Sequence, residues 1–133
     1  MELEGGCQCG AVRYAVKGKF EYAVLCHCAD CRKSSGAPVV AWNAFHQDCF
    51  TVLSGEATTF NSSGASMRSF CGICGTGLWF HNEEFLPGLV DIRTATLDNP
   101  EAIPPQAHIQ TAERIGWMES MHNLPGFSRY PEG

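Results

Sequence analysis

Basic residues are scarce in this chain: nine lysines and arginines stand against fourteen acidic residues, for a formal net charge of −5. A nucleic-acid backbone is bound through clustered lysine and arginine that displace its counterions. Here those residues are few and scattered, so no nucleic-acid partner is expected. Long apolar runs are also missing, and nothing approaches the roughly 20 consecutive apolar residues that a membrane-spanning helix needs. No membrane partner is expected either. The acidic opening Met1-Glu2-Leu3-Glu4 carries neither the positive flank nor the apolar stretch of a secretion signal. The expected location is the cytoplasm. Apolar stripes with helical spacing are nearly absent, as are fixed-period repeats and low-complexity tracts.

The composition is that of a globular chain. Apolar residues make up 44% and charged residues 17% of the 133 positions, enough apolar surface for one core and too little charge for disorder. A single domain over residues 1–133 is expected, with an arm from about residue 98 onward. Short segments rich in valine, phenylalanine, tyrosine and threonine, separated by glycine-containing turns, predict an all-β, mainly antiparallel fold with little helix. The expected strands are 11–16, 22–25, 38–45, 50–53, 57–61, 67–70, 78–81 and 89–95, with 50–53 and 57–61 forming a hairpin across Ser54-Gly55-Glu56. The one expected helical turn lies around 112–118, and Trp117 and Phe127 are expected to pack on the sheet from the arm.

Against these absences stands an excess of cysteine. There are eight, in three tight groups and one singleton: Cys7 and Cys9; Cys26, Cys28 and Cys31; Cys71 and Cys74; and Cys49 alone. Disulfides and metal binding are the two explanations, and a reducing cytoplasm favours metal, with zinc the ion that such spacings most often hold. Two distant pairs make one closed site: Cys7 and Cys9 with Cys71 and Cys74 supply four thiolates and staple an early strand to a later one. Each of these pairs is followed by glycine, Gly10 or Gly75, where the backbone must curl around the ion.

The middle group supplies three ligands. Cys26 and Cys28 on an extended segment would share a face, with His27 pointing away and Cys31 brought round by a turn. A zinc ion with three protein ligands keeps a position open for water or substrate, the mark of a catalytic site. The bland alternative is closure by a fourth protein ligand: Cys49, or His27, His46 or His81. Cys49 itself reads as a buried strand thiol, and Trp42, Phe70 and Trp79 read as core. Three thiolates around a divalent cation leave a net negative charge, which weakens the ion as a maker of hydroxide and suits it to a soft ligand such as a thiol. Arg32 and Lys33, followed by Ser34, Ser35 and Gly36, are the candidate contacts for the carboxylate of a small acidic thiol. The rival readings are a non-catalytic, zinc-stapled protein-binding module and a redox or zinc-buffering role for the middle triplet.

Three segments together resemble a known family: G-x-C-x-C-G-x-V-R-Y at Gly5 to Tyr14, C-H-C-x-x-C-R-K at Cys26 to Lys33, and F-C-x-x-C-G-T at Phe70 to Thr76. The chain is similar, over about residues 5–95, to the glutathione-dependent formaldehyde-activating enzymes, a family that includes the centromere-protein V branch. The resemblance implies an Mss4-like all-β fold, a structural zinc on Cys7, Cys9, Cys71 and Cys74, and a catalytic zinc on Cys26, Cys28 and Cys31. It also implies a carbon–sulfur lyase-type activity in which the thiol of glutathione and formaldehyde combine as S-hydroxymethylglutathione.

Overall fold

The computed structural model describes residues 2–131. Its strands are β1 (Glu2–Gly6), β2 (Arg13–Lys17), β3 (Phe20–Cys26), β4 (Val40–His46), β5 (Phe50–Ser54), β6 (Thr58–Ser63), β7 (Ser66–Phe70), β8 (Gly77–His81), β9 (Leu89–Arg93) and β10 (Ala107–Ile109), and one short helix, α1 (Ala29–Ser35), follows β3. They form two sheets, a three-stranded one in the order β1-β2-β5 and a seven-stranded one in the order β10-β3-β4-β9-β8-β7-β6. Every pairing is antiparallel except β10 with β3, so the expectation of an all-β, mainly antiparallel fold with little helix is met.

The two sheets pack face to face. Val12, just before β2, and Tyr14 and Val16 of β2 meet Ala23, Phe45, Val90, Ile92 and Trp79 of the large sheet in the main core. Strand alternation sends neighbouring residues to opposite faces. The other face of the large sheet therefore carries Val24, Cys26, Val40 and Trp42, and this second apolar cluster takes in Cys31 of α1. Strand β4 is buried along most of its length because both of its faces are covered.

Several expectations are corrected. Residues 50–53 and 57–61 do not form a hairpin: β5 pairs with β2, whereas β6 pairs with β7 in the other sheet. The turn at Gly55 therefore passes the chain between sheets, and glycine is required there because φ is +78° and a Cβ would run into the backbone of Ala11. Strand β1 had no counterpart in the expected set; two glycines and two glutamates in five residues conceal it. Helix α1 was unexpected as well. It is two turns long and buries only Cys31, so it has no apolar stripe to read. Its caps define it instead: the Cys28 sulfur accepts from the Cys31 amide, and Gly36, with φ 68°, closes the far end on the Arg32 carbonyl.

The region around 112–118 forms two 3-10 turns, Thr111–Glu113 and Gly116–Asn123. The arm is tied down by β10 and by Ile103, which is buried in the main core, and not by its aromatics. β10 adds to the edge of β3, while Trp117 and Phe127 are 59% and 58% exposed. Cys49 ends a 3-10 turn, half-buried against the main core, and is not a strand residue.

Candidate metal centres and cavity

Two clusters of sulfur lie on the structure, and all eight cysteines are free thiols. In the first, the sulfurs of Cys7, Cys9, Cys71 and Cys74 lie within 4.8 Å of one another. Each pair sits on a tight turn closed by a glycine with positive φ: Gly10 (81°) donates to the Cys7 carbonyl and Gly75 (83°) to the Cys71 carbonyl. The turns interlock, since the Gln8 amide donates to the Thr76 hydroxyl. Cys7 follows β1 and Cys71 follows β7, so the cluster joins the small sheet to the large one.

The donor set fits a tetrahedral thiophilic ion. Metal–sulfur bonds of about 2.3 Å place tetrahedral sulfurs about 3.8 Å apart, and Cys7–Cys9 and Cys9–Cys71 are 3.6 and 3.8 Å apart. The surroundings also favour thiolate. Burial alone would raise the Cys7 thiol, yet the Val12 amide, 3.2 Å away, and the neighbouring Cys9 and Cys71 thiols bring it below its ordinary value. The Thr76 hydroxyl and amide draw Cys74 down to about 5.

The second cluster is Cys26, Cys28 and Cys31. Strand β3 delivers Cys26 on the same face as Val24 and ends there. His27 turns away and is buried with its Nε2 2.9 Å from His108 Nδ1 on β10. Cys28 caps α1, and Cys31 follows one helical turn later on the same side. The arm helps to hold this corner: the Ile109 carbonyl accepts from the His27 amide, and the Glu113 carboxylate accepts from the Ala29 amide at 2.9 Å. The cluster is acidified from within, because the Cys26 thiol donates to Cys31. Against the opposing effect of burial, that bond, with further donation from Cys28 and Arg68, brings Cys31 down to about 5.

No fourth cysteine, histidine or carboxylate among the described residues joins this cluster. The closures by Cys49, His27, His46 or His81 are therefore not found. The open side of the triplet faces a cavity of about 610 Å³, within the usual range for small-molecule sites. Its walls are largely apolar, with Tyr22, Val24, Trp42 and Phe80 prominent, and Ser63, Ser66 and Asn82 add polar groups. Trp42, expected to be core only, is both buried and a wall of this cavity.

The charged residues of the cavity are not the expected ones. Arg32 and Lys33 line a separate shallow groove with Pro38, Ile115 and Trp117, because α1 turns them away from the side that carries Cys28 and Cys31. Arg68 from β7 stands in the cavity instead, 4% exposed, with its guanidinium 2.8 Å from Asp30 and 3.6 Å from the Cys31 sulfur. It lies over the Phe80 ring at 4.8 Å. Asp91 from β9 is the other buried charge-bearing side chain, accepting from the Tyr22 hydroxyl at 2.8 Å. Both Arg68 and Asp91 interrupt otherwise strand-like runs, and that interruption is the signal by which the sequence marks them.

A family model described as "Glutathione-dependent formaldehyde-activating enzyme" matches residues 2–113. A protein of Halomonas elongata, provisionally named a glutathione-dependent formaldehyde-activating enzyme, is 30% identical across 99% of this chain and 90% of its own. The crystal structure of a Rhodobacter sphaeroides protein from a structural-genomics programme superposes with a TM-score of 0.64 at 24% identity, covering 80% of this chain and 99% of that one. That likeness concerns the fold.

Proposed function

Because the chain belongs to the glutathione-dependent formaldehyde-activating enzyme family, we propose that it is a zinc enzyme making and breaking the carbon–sulfur bond between a small thiol, such as glutathione, and an aldehyde carbon, such as that of formaldehyde. The observation that carries this reading is the triplet Cys26, Cys28 and Cys31, which offers three sulfurs and no fourth donor among the described residues, and opens on a cavity. The reducing cytoplasm is the compartment in which eight free thiols persist.

A zinc ion held there would accept the substrate thiol at its vacant position and favour the thiolate form. The protein's own groups prepare the site. Cys26, Cys28 and Cys31 would hold the reacting zinc, and Cys7, Cys9, Cys71 and Cys74 a structural one. Arg68 sets a fixed positive charge beside Cys31, offsetting the excess negative charge of three thiolates. Val24, Trp42 and Phe80 keep bulk water from the sulfurs, which strengthens that electrostatic effect. Ser63, Ser66 and Asn82 offer hydroxyl and amide groups to the polar part of a thiol such as glutathione.

The test is a metal count paired with Cys28→Ser. The parent should carry about two zinc ions per chain and turn over a glutathione–formaldehyde adduct. The variant should keep its fold and about one zinc while losing turnover. Turnover by Cys28→Ser at the parent rate, or an active parent without metal, overturns the reading.

A further inference from the structure

We propose that Asp91, held by Tyr22, is the group that takes the proton from the substrate thiol and returns it to the aldehyde oxygen. This deepens the reading just given and rests on it.

The cavity wall contains few groups able to move a proton. Cys26, Cys28 and Cys31 would be occupied as the donors to the reacting zinc. Asp30 is neutralised, accepting from Arg68 at 2.8 Å and from the Ser62 hydroxyl at 2.7 Å. Asp91 has no cation on it. Its Oδ2 accepts from the Tyr22 hydroxyl at 2.8 Å, and its Oδ1 is buried with no hydrogen-bond partner, on a side chain only 6% exposed. An unpartnered buried carboxylate oxygen is costly, and such groups in native structures call for an explanation. A proton arriving from a substrate held in the cavity supplies one.

The strand register shows that the placement is built. Tyr22, Ala44, Asp91, Phe80 and Arg68 form one row across β3, β4, β9, β8 and β7, all on the cavity side of the sheet. Ala44, the residue between Tyr22 and Asp91, is small enough for the phenol to reach across it. Burial pushes Asp91 up to about 6; the Tyr22 hydrogen bond opposes this and the negative charge on Cys31 adds to it. Neither Ala44 on β4 nor Phe80 on β8 is charged. Arg68 on β7 is engaged by Asp30 and Cys31, and Arg93, farther along β9, stacks on Trp42. A carboxylate with that affinity accepts and returns a proton near neutral pH.

The proposed step balances without an oxidant or reductant. The thiol proton moves to Asp91, the sulfur lone pair forms the bond to the aldehyde carbon, and the C=O π pair moves onto oxygen. Asp91 then protonates that oxygen and is ionised again. In reverse, Asp91 removes the hydroxymethyl proton, the carbon–sulfur bond breaks, and sulfur recovers the proton.

The experiment uses the metal-loaded protein, Asp91→Asn and Tyr22→Phe, with reduced glutathione and formaldehyde as probes. Lowering the pH from 8 to 5 with glutathione present should bring in the infrared carbonyl band of a protonated carboxyl group with a midpoint near 6 in the parent, and Asp91→Asn should show no such band. With both probes, Asp91→Asn should lose about 100-fold in kcat while the KM for glutathione and the metal content hold. Tyr22→Phe should stay active with its pH midpoint moved upward, because the ionised carboxylate loses a donor. No carboxyl band in the parent, or Asp91→Asn turning over at the parent rate, overturns the assignment of Asp91 and leaves the carbon–sulfur reading standing. A band without adduct formation supports Asp91 as the proton acceptor and overturns the carbon–sulfur reading.

Discussion

Arg68 and Cys31 are joined across the floor of the cavity: a guanidinium buried in the large sheet points one nitrogen at the Cys31 sulfur 3.6 Å away, and the same nitrogen reaches Asp30 at 2.8 Å. The contact links β7 to α1, two elements separated by more than thirty residues in sequence. Arg68→Met preserves length and apolar bulk but leaves Asp30 and the thiolates without their counter-charge. The cost should be about 1–3 kcal/mol, below that of a fully buried pair because the Asp30 side chain remains about one-third exposed. Urea unfolding would measure it. A chelator titration should show one of the two metals released more readily and the other unchanged.

Removing a donor from the other cluster should act on the fold itself. Cys71 is 1% exposed and belongs to the cluster that ties β7 to the small sheet. Cys71→Ser should cost more than about 3 kcal/mol, because metal binding energy at a closed site is folding energy. In thermal unfolding followed by circular dichroism, the variant should melt early with or without chelator. The parent should approach it only once chelated.

The buried carboxylate predicts a pH-dependent gain in stability. The folded value for Asp91, about 6, lies above the ordinary 3.8. The unfolded chain gives up this proton first, so the parent loses stability as pH rises from 3.8 through 6, and the deficit is complete above that window. Asp91→Asn removes the deficit and keeps an acceptor for Tyr22. It should be more stable than the parent at pH 8 by up to about 3 kcal/mol, with the difference vanishing toward pH 4. Urea midpoints measured across that range decide the matter, and a pH-independent difference would contradict it.

Gly5 has no space for a side chain. A Cβ there would stand 2.5 Å from the Thr96 carbonyl oxygen and 2.5 Å from the Tyr14 hydroxyl, two groups close to the Tyr14–Thr96 hydrogen bond of 2.7 Å. Gly5→Ala should destabilise by about 1–3 kcal/mol through overpacking. A lowered melting temperature with both metals retained is the expected result.

The two sulfur clusters were legible because sulfur chemistry is local. Two cysteines with one or two residues between them, followed by glycine, describe a turn around an ion whatever surrounds it. Most strands of the large sheet were legible for a similar reason, since runs of β-branched and aromatic residues such as Val40–His46 are a property of neighbouring residues, whereas β10, three residues of the arm, was not among the expected strands. Strand pairing is not such a property. Residues 50–53 and 57–61 look like a hairpin because a glycine turn lies between them, yet each found a better partner in a different sheet. Nor could α1 be read from periodicity, since two turns burying one cysteine leave no stripe.

By itself, the sequence determined which residues carry sulfur, how they group, and that the backbone between them is mainly extended. Only the tertiary structure decided which charged side chains meet the open triplet. Arg32 and Lys33, its neighbours along the chain, are turned away by helical rotation, while Asp30, Arg68 and Asp91 are brought in by α1, β7 and β9. The physical reason is that spacing between nearby residues follows from covalent geometry, whereas the electrostatics of a cavity arise from strands that become neighbours only when the sheet assembles.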